Sequence, residues 1–437
     1  MIKKVCFIFS SPVLFFLATT VAISQISGKG QNNELQLRTL YGSTATCDYI
    51  TGDIFAVWWD KNYDYREDAK NVLNSLINTR NTCLNTFGMK DPKGTDKYYY
   101  NVYIHNNGPD LFPNDWAQGQ DTDNDGYPFL TIPVKLASPD YHGHVHEGFH
   151  IFQYNANSSG LTYKGDSQWF IEATANWYVN IMYPNDLDGF ICGQAVTAIS
   201  QVPMWYSFEN KKPGDKNSWL RDDHQYGMNI YLYYLTEVCK VSRYTIAHSF
   251  YDNVTLLPQE YLYSILGGPD MRKYFADWAI HNAVGFDYLS SAQIERLKKE
   301  FQRYGDPNDD HSVVATYSDK GTDGTWVRVP ETETPGGWAY NVYEINNTIS
   351  GNYIINLEGD EYGNNGTPSR FTVRAAVSKT GSPNTFYSVD LTNDISGKLS
   401  LKTTPENSTI WIAIASTPDH FTSNQTYSYK LKIDLEK

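Results

Sequence analysis

The sequence predicts an α+β chain, with a small mixed sheet and a helical lobe followed by an all-β sandwich. Three observations carry that prediction. Residues 54–134 combine short extended apolar runs with one long helical pattern, and residues 166–301 are helical in pattern. Beyond a polar breaker at 305–310, short β-rich runs alternate with Gly, Pro, Asn and Asp. At 437 residues the chain is long enough for two or three domains, and a hydrophobic fraction of 41% can fill their cores. Its 34 Tyr and 11 Trp favour a folded, aromatic-rich extracellular protein over a disordered one. A formal charge of −14 argues against a nucleic-acid partner.

The elements follow in order. Residues 1–24 read as a secretory signal: Lys3 and Lys4, an apolar run over 5–21 broken at Ser10, Ser11 and Pro12, then Ala22-Ile23-Ser24 as cleavage site. This places the mature chain outside the cytoplasm, whether secreted, periplasmic or on the cell surface. No other segment is long and apolar enough to span a membrane. Residues 25–45 form a polar leader. A first domain is expected over 46–306, with strands at 54–59, 98–104 and 129–134. Ala69, Val72, Leu73, Leu76, Ile77, Leu84 and Phe87 recur at helical spacing and predict a helix over 66–87. Asp166 or Ser167 caps a helix through Trp169 and Trp177, and further helices cover 228–238 and 292–304. A linker at 307–323 leads to a sandwich domain over 324–437, with strands at 326–329, 338–345, 353–357, 371–377, 386–391, 399–402, 410–415 and 427–433. Outside the signal stand Cys47, Cys83, Cys192 and Cys239. In an oxidising compartment the favoured pairing is Cys47–Cys83 with Cys192–Cys239, each pair flanking one subdomain; four free thiols are the alternative for a bacterial source.

Chemistry concentrates at His146-Glu147-Gly148-Phe149-His150. On a helix, positions four apart share a face, so both imidazoles can take corners of a zinc tetrahedron. Glu147 then stands beside the open position, where it can take a proton from water. Downstream, Glu172 lies in a predicted helix among bulky apolar residues. A buried carboxylate needs a partner, and a zinc ion is one. Asn176 is one turn further on.

This pair of motifs resembles the gluzincin metallopeptidases, in which HExxH is followed by a glutamate on a second helix; the likeness covers roughly residues 140–240. It implies a zincin-like catalytic domain. It also implies zinc ligation by His146, His150 and Glu172, and a general-base role for Glu147. Many gluzincins carry Asp where this chain has Asn176, bonded to a ligand histidine; Asn accepts the same bond without charge. Metzincins need a third histidine where Ala156 stands. Aspzincins need a GTxDxxYG pattern that is absent, with Asp166 the nearest alternative ligand. His142 and His144 are either extra metal or substrate ligands or loop residues ahead of the helix.

The segment Asp222-Asp223-His224-Gln225-Tyr226-Gly227 resembles the stretch that gives gluzincin aminopeptidases a catalytic tyrosine. Their tyrosine falls three residues before the glycine, where this chain has His224, while Tyr226 directly precedes Gly227. Thermolysin-like enzymes use histidine in this role, so either residue is a candidate oxyanion donor. Asp121, Asp123 and Asp125 precede Gly126 in the manner of a calcium loop, although Ile132 stands where the closing glutamate belongs. The choice there is Ca2+ or a solvated acidic turn. The expected function is zinc-dependent hydrolysis of a protein or peptide, including glycoprotein, with an extended substrate pairing to residues 129–134 as an edge strand. The absence of a GxMEN motif points to endopeptidase action. The rival reading is an inert secreted protein that binds glycan or protein and retains its zinc site.

Overall fold

The computed structural model describes residues 35–38, 46–105, 119–123, 125–137, 141–156, 158–185, 187–190, 192–210, 218–252, 255–303, 324–346 and 348–436. The expected signal over 1–24 and the linker over 307–323 lie outside the described residues, as does most of the leader. The chain is α+β, as its pattern predicts.

The first sheet is built from β1 (Cys47–Gly52), β2 (Phe55–Asp60), β3 (Tyr100–His105), β4 (Gly119–Thr122) and β5 (Pro128–Pro133), in the order β1-β2-β3-β5-β4. β2, β3 and β5 run parallel, while β1 and β4 pair antiparallel at the two sides. Residues 129–134 were expected at an edge. Instead β5 is flanked on both sides, and the edge next to it is β4, a four-residue polar strand with no hydrophobic alternation to betray it.

Alternation divides the sheet into two faces. Phe55, Val57, Trp59, Val102, Ile104, Leu130 and Ile132 pack into the main core under the helices. Cys47, Ala56, Trp58, Tyr103 and Phe129 form a separate cluster. α1 (Arg66–Asn85) lays Ala69, Val72, Leu73, Leu76 and Cys83 into that main core. Cys47 and Cys83 therefore sit in different clusters, and the expected disulfide between them is not formed. Cys192 and Cys239 are not joined by a disulfide either.

The helical lobe comprises α2 (Tyr141–Asn155), α3 (Gln168–Met182), α4 (Gly193–Ala198), α5 (Ser218–Gly227), α6 (Asn229–Tyr233), α7 (Arg243–Asp252), α8 (Pro258–Leu266), α9 (Gly268–Ala283) and α10 (Ser291–Arg303). The helix expected over 228–238 is α6 followed by a π-helical stretch, Tyr234–Val238. α5 breaks from α6 beside Gly227, where a Cβ would fall 2.2 Å from the Cys192 carbonyl oxygen. Ser167 stands at the N-cap of α3, but neither its side chain nor that of Asp166 caps the helix. The Ser167 hydroxyl donates to the carbonyls of Thr162 and Lys164, and the Asp166 carboxylate accepts from Ser423. Among the described residues no helix is long and apolar enough to cross a membrane.

The C-terminal strands are β6 (Val327–Arg328), β7 (Ala339–Ile345), β8 (Gly351–Gly359), β9 (Phe371–Ser378), β10 (Thr385–Val389), β11 (Leu391–Thr392), β12 (Ser396–Thr404), β13 (Thr409–Ser416) and β14 (Tyr429–Glu436). They form two antiparallel sheets, β10-β9-β13-β7 and β11-β12-β8-β14-β6. Ile410, Ile412, Ile414, Val373 and Val377 point between the sheets with Tyr353, Ile355, Leu357, Leu431 and Ile433. The intervening positions Ala376, Ala413 and Ala415 face the other way, into the helical core. These small side chains let α9 lie close against β9 and β13. Arg374 reaches Asp277 of α9 at 2.5 Å. Trp338 seals the junction: it stacks on Phe421, meets Phe275 edge-on, and donates its indole N–H to the Pro418 carbonyl.

Because the helical lobe and the sandwich share one core, they should unfold together. Trp338→Ala is expected to cost ~3–5 kcal/mol and to shift one common transition in chemical denaturation. Two separate transitions in the wild-type protein would show the lobes to be independent.

Candidate metal centre

The two helices that carry the motif cross at its centre. Gly148 lets α1 press on α2, since a Cβ there would lie 2.7 Å from Leu76 Cδ2 of α1. His142 and His144, expected in a loop, lie within the first turns of α2. His142, His146 and His150 repeat every four residues and share a face; His144 points elsewhere, bonding the Leu136 carbonyl and Ser75.

His146 Nε2 lies 3.1 Å from His150 Nε2 and 3.1 Å from Glu172 Oε2, and His150 Nε2 lies 3.6 Å from the same oxygen. All three side chains are buried. The outer nitrogens are both engaged: His146 Nδ1 donates to Asn176 Oδ1 at 2.7 Å, and His150 Nδ1 donates to Gln153 Oε1 at 2.5 Å. With those protons facing outward, both Nε2 lone pairs point inward at a carboxylate oxygen. Three acceptors thus converge in a buried pocket and need positive charge between them. Ligands about 2.0–2.2 Å from zinc stand about 3.3–3.6 Å apart at tetrahedral angles, so the triangle is of the right size.

Electrostatics point the same way. Burial opposes ionisation of Glu172, yet the neighbouring imidazoles hold it below the usual carboxylate range. Burial also opposes protonation of His150, but Glu172 outweighs it and raises the imidazole to about 9. Burial wins at His146, which falls to about 4. Without a metal, a proton on His150 balances Glu172. Glu147 lies within 4.8 Å of both imidazoles. Burial lifts its carboxyl to about 7, and its Oε2 is buried with no hydrogen-bond partner among the described residues. An unpartnered buried oxygen beside a converging donor set is what a metal-and-water site requires.

Phenols surround the centre. Tyr154 packs against His150 with ring centroids 5.5 Å apart, and Tyr226 lies 6.1 Å from His146. Tyr163 faces Tyr154 at 6.4 Å. Burial first, then the charge of Glu172, raises all three hydroxyls above their ordinary range, so they are donors at neutral pH.

The two oxyanion candidates separate cleanly. Tyr226 belongs to the centre. His224, two residues earlier and so on another side of α5, turns away. Its Nδ1 donates to the Tyr206 carbonyl, and it lines a cavity with Met204, Met228, Trp278, Trp338 and Tyr340 beside the sandwich. Asp166, the alternative ligand, is held by Ser423. The acidic loop also resolves. Arg38 reaches Asp123 at 2.6 Å and Asp125 at 2.7 Å and stacks over Tyr127, while Asp123 Oδ1 accepts the amides of Asp125 and Tyr127. A guanidinium thus lies against two of the three carboxylates read as either a Ca2+ loop or a solvated acidic turn; the Asp121 side chain lies outside the described residues. Gln153, Tyr154 and Tyr163 escaped the sequence reading. Gln153 was open to detection, since it stands three residues after His150 on the same face.

Among known proteins, a family described only as a family of unknown function (DUF6055) matches residues 43–213, a span holding the sheet and both metal-site helices. No curated protein matches. Similar solved structures include the pre-peptidase C-terminal domain of a collagenase from Bacillus anthracis, at 11% identity and TM-score 0.19, over 28% of this chain and 95% of that one. A cycloisomaltooligosaccharide glucanotransferase from Paenibacillus sp. matches at 10% identity and TM-score 0.13, over 28% of this chain and 16% of its own. A family GH115 4-O-methyl-α-glucuronidase matches at 9% identity and TM-score 0.16, over 79% and 53%. Similarity this slight bears on neither site nor activity.

His224 has a testable consequence. Burial holds it at about 4 in the fold, below its ordinary 6.5, against the opposing bond to Tyr206. As pH falls below about 6.5 the unfolded chain takes up a proton that the folded chain refuses until about 4. Its stabilising contribution is complete above that window and is lost through it. His224→Gln keeps a donor for Tyr206, and should reduce the slope of unfolding free energy against pH by about 1.4 kcal/mol per unit across this range. An unchanged slope would contradict the assignment.

Proposed function

We propose that this chain is a secreted zinc-dependent peptidase of the gluzincin type, acting as an endopeptidase. The reading rests above all on the inward convergence of His146 Nε2, His150 Nε2 and Glu172 Oε2, with the unpartnered Glu147 oxygen beside them. A zinc ion held by the three would supply a Lewis acid that polarises a carbonyl and acidifies water.

The chain's own residues supply the rest. Glu147, half-buried and lifted toward neutrality, is matched to taking a proton from the attacking water and returning it to the leaving amine nitrogen. The new bond joins the water oxygen to the carbonyl carbon, and the broken bond is C–N. Tyr226, protonated at neutral pH, donates to the oxygen on which negative charge develops. β4 runs against α2 at the sheet margin and offers backbone groups to an extended peptide, the role first expected of residues 129–134. Secretion rests on the signal-like residues 1–24.

Glu147→Gln is expected to lower turnover of a denatured-protein substrate by about 10²–10⁴-fold while zinc content by metal analysis stays at the wild-type level. Tyr226→Phe should lower kcat by about 10²–10³-fold with little change in KM. A zinc-loaded wild-type protein that cleaves no protein or peptide would favour the alternative, an inert zinc-retaining binding protein.

A further inference from the structure

Gln153 is buried, and every polar atom of its side chain is committed. Oε1 accepts from His150 Nδ1 at 2.5 Å; Nε2 donates to the Ile171 carbonyl at 3.0 Å and to Thr174 Oγ1 at 2.6 Å. Thr174 in turn donates its hydroxyl back to the Phe170 and Ile171 carbonyls. The amide cannot be turned over. A reversed Gln153 would aim its oxygen at the Ile171 carbonyl, placing acceptor against acceptor. Because a carbonyl oxygen only accepts, this orientation obliges His150 to keep a proton on Nδ1, so that Nε2 alone is left to face a metal or, without one, to carry the proton that balances Glu172.

Asn176 repeats the logic on the other side. Its Nδ2 donates to the Tyr226 carbonyl at 3.4 Å, which turns Oδ1 toward His146 at 2.7 Å and His142 at 3.0 Å. In each case a main-chain carbonyl sets the amide, and the amide sets the histidine tautomer. The bonds of Gln153 also tie α2 to the α3 turn on either side of Glu172, so one side chain governs both the direction of His150 and its distance from the carboxylate.

We infer that Gln153 is the positioning residue of the metal centre: it locks His150 as an Nε2 ligand and sets the spacing between His150 and Glu172. This rests on the zinc reading above. Its support is a neutral carboxamide, so no charge is added beyond that of Glu172, and the effect is one of orientation. The carboxamide can be removed without altering any group that meets the metal.

The test pairs zinc affinity by competition with a chromophoric chelator and the imidazole N–H resonances of 15N-histidine-labelled protein. Gln153→Met should weaken zinc binding about 10–100-fold and abolish the protected His150 Nδ1 proton signal, while that of His146 persists. Gln153→Glu, which keeps an acceptor, should recover the His150 signal and part of the affinity. Wild-type affinity in Gln153→Met, or joint loss of both histidine signals, would overturn the assignment. A wild-type protein that binds no zinc would instead defeat the peptidase reading. The resonances of the metal-free protein would then still decide whether Gln153 holds the tautomer.

Discussion

The meeting of two imidazoles and a carboxylate in a buried pocket is the constraint on which the rest of this structure depends. At 3.1–3.6 Å apart they need positive charge among them, supplied either by a cation or by a proton on His150. The surroundings hold the arrangement open. Gly148 lets α1 press on α2, and Asn176 and Gln153 turn both rings inward. The walls are phenols from Tyr154, Tyr163 and Tyr226. On the zinc reading proposed above, metal binding and folding stability are coupled.

The C-terminal sandwich belongs to the same system. Alanines on one side of its first sheet admit α9, and Trp338 closes the junction. A second tie is closer to the centre: Ser423 donates to Asp166, just ahead of the helix that bears Glu172, and itself accepts from Trp205. The sandwich thus acts as a wall of the helical lobe, through packing that no motif in its sequence announces.

Much of the fold was legible in the sequence because periodicity is local. The helix over 66–87, the strands at 54–59 and 98–104, and the eight C-terminal runs all recur in the structure, with one run divided between β10 and β11. The misses have a common cause. β4 is short and polar, so its edge position depends on pairing. Cys47 and Cys83 looked pairable by position along the chain, yet they pack in separate clusters. The pairing of the acidic loop with Arg38 was out of reach of local pattern, because Arg38 is more than eighty residues away.

The amino-acid order by itself determined which side chains share a helical face. His146 and His150 four apart, with Glu147 beside them and Asn176 four after Glu172, are consequences of helical geometry alone. Only the tertiary structure decided which face of which helix meets which. It separated Tyr226 from His224, gave Gln153 to His150, and made β4 the margin of the sheet. The reason is physical. Local spacing fixes direction about one helix axis, whereas convergence requires two helices to be packed at a set distance, and that distance comes from the whole core.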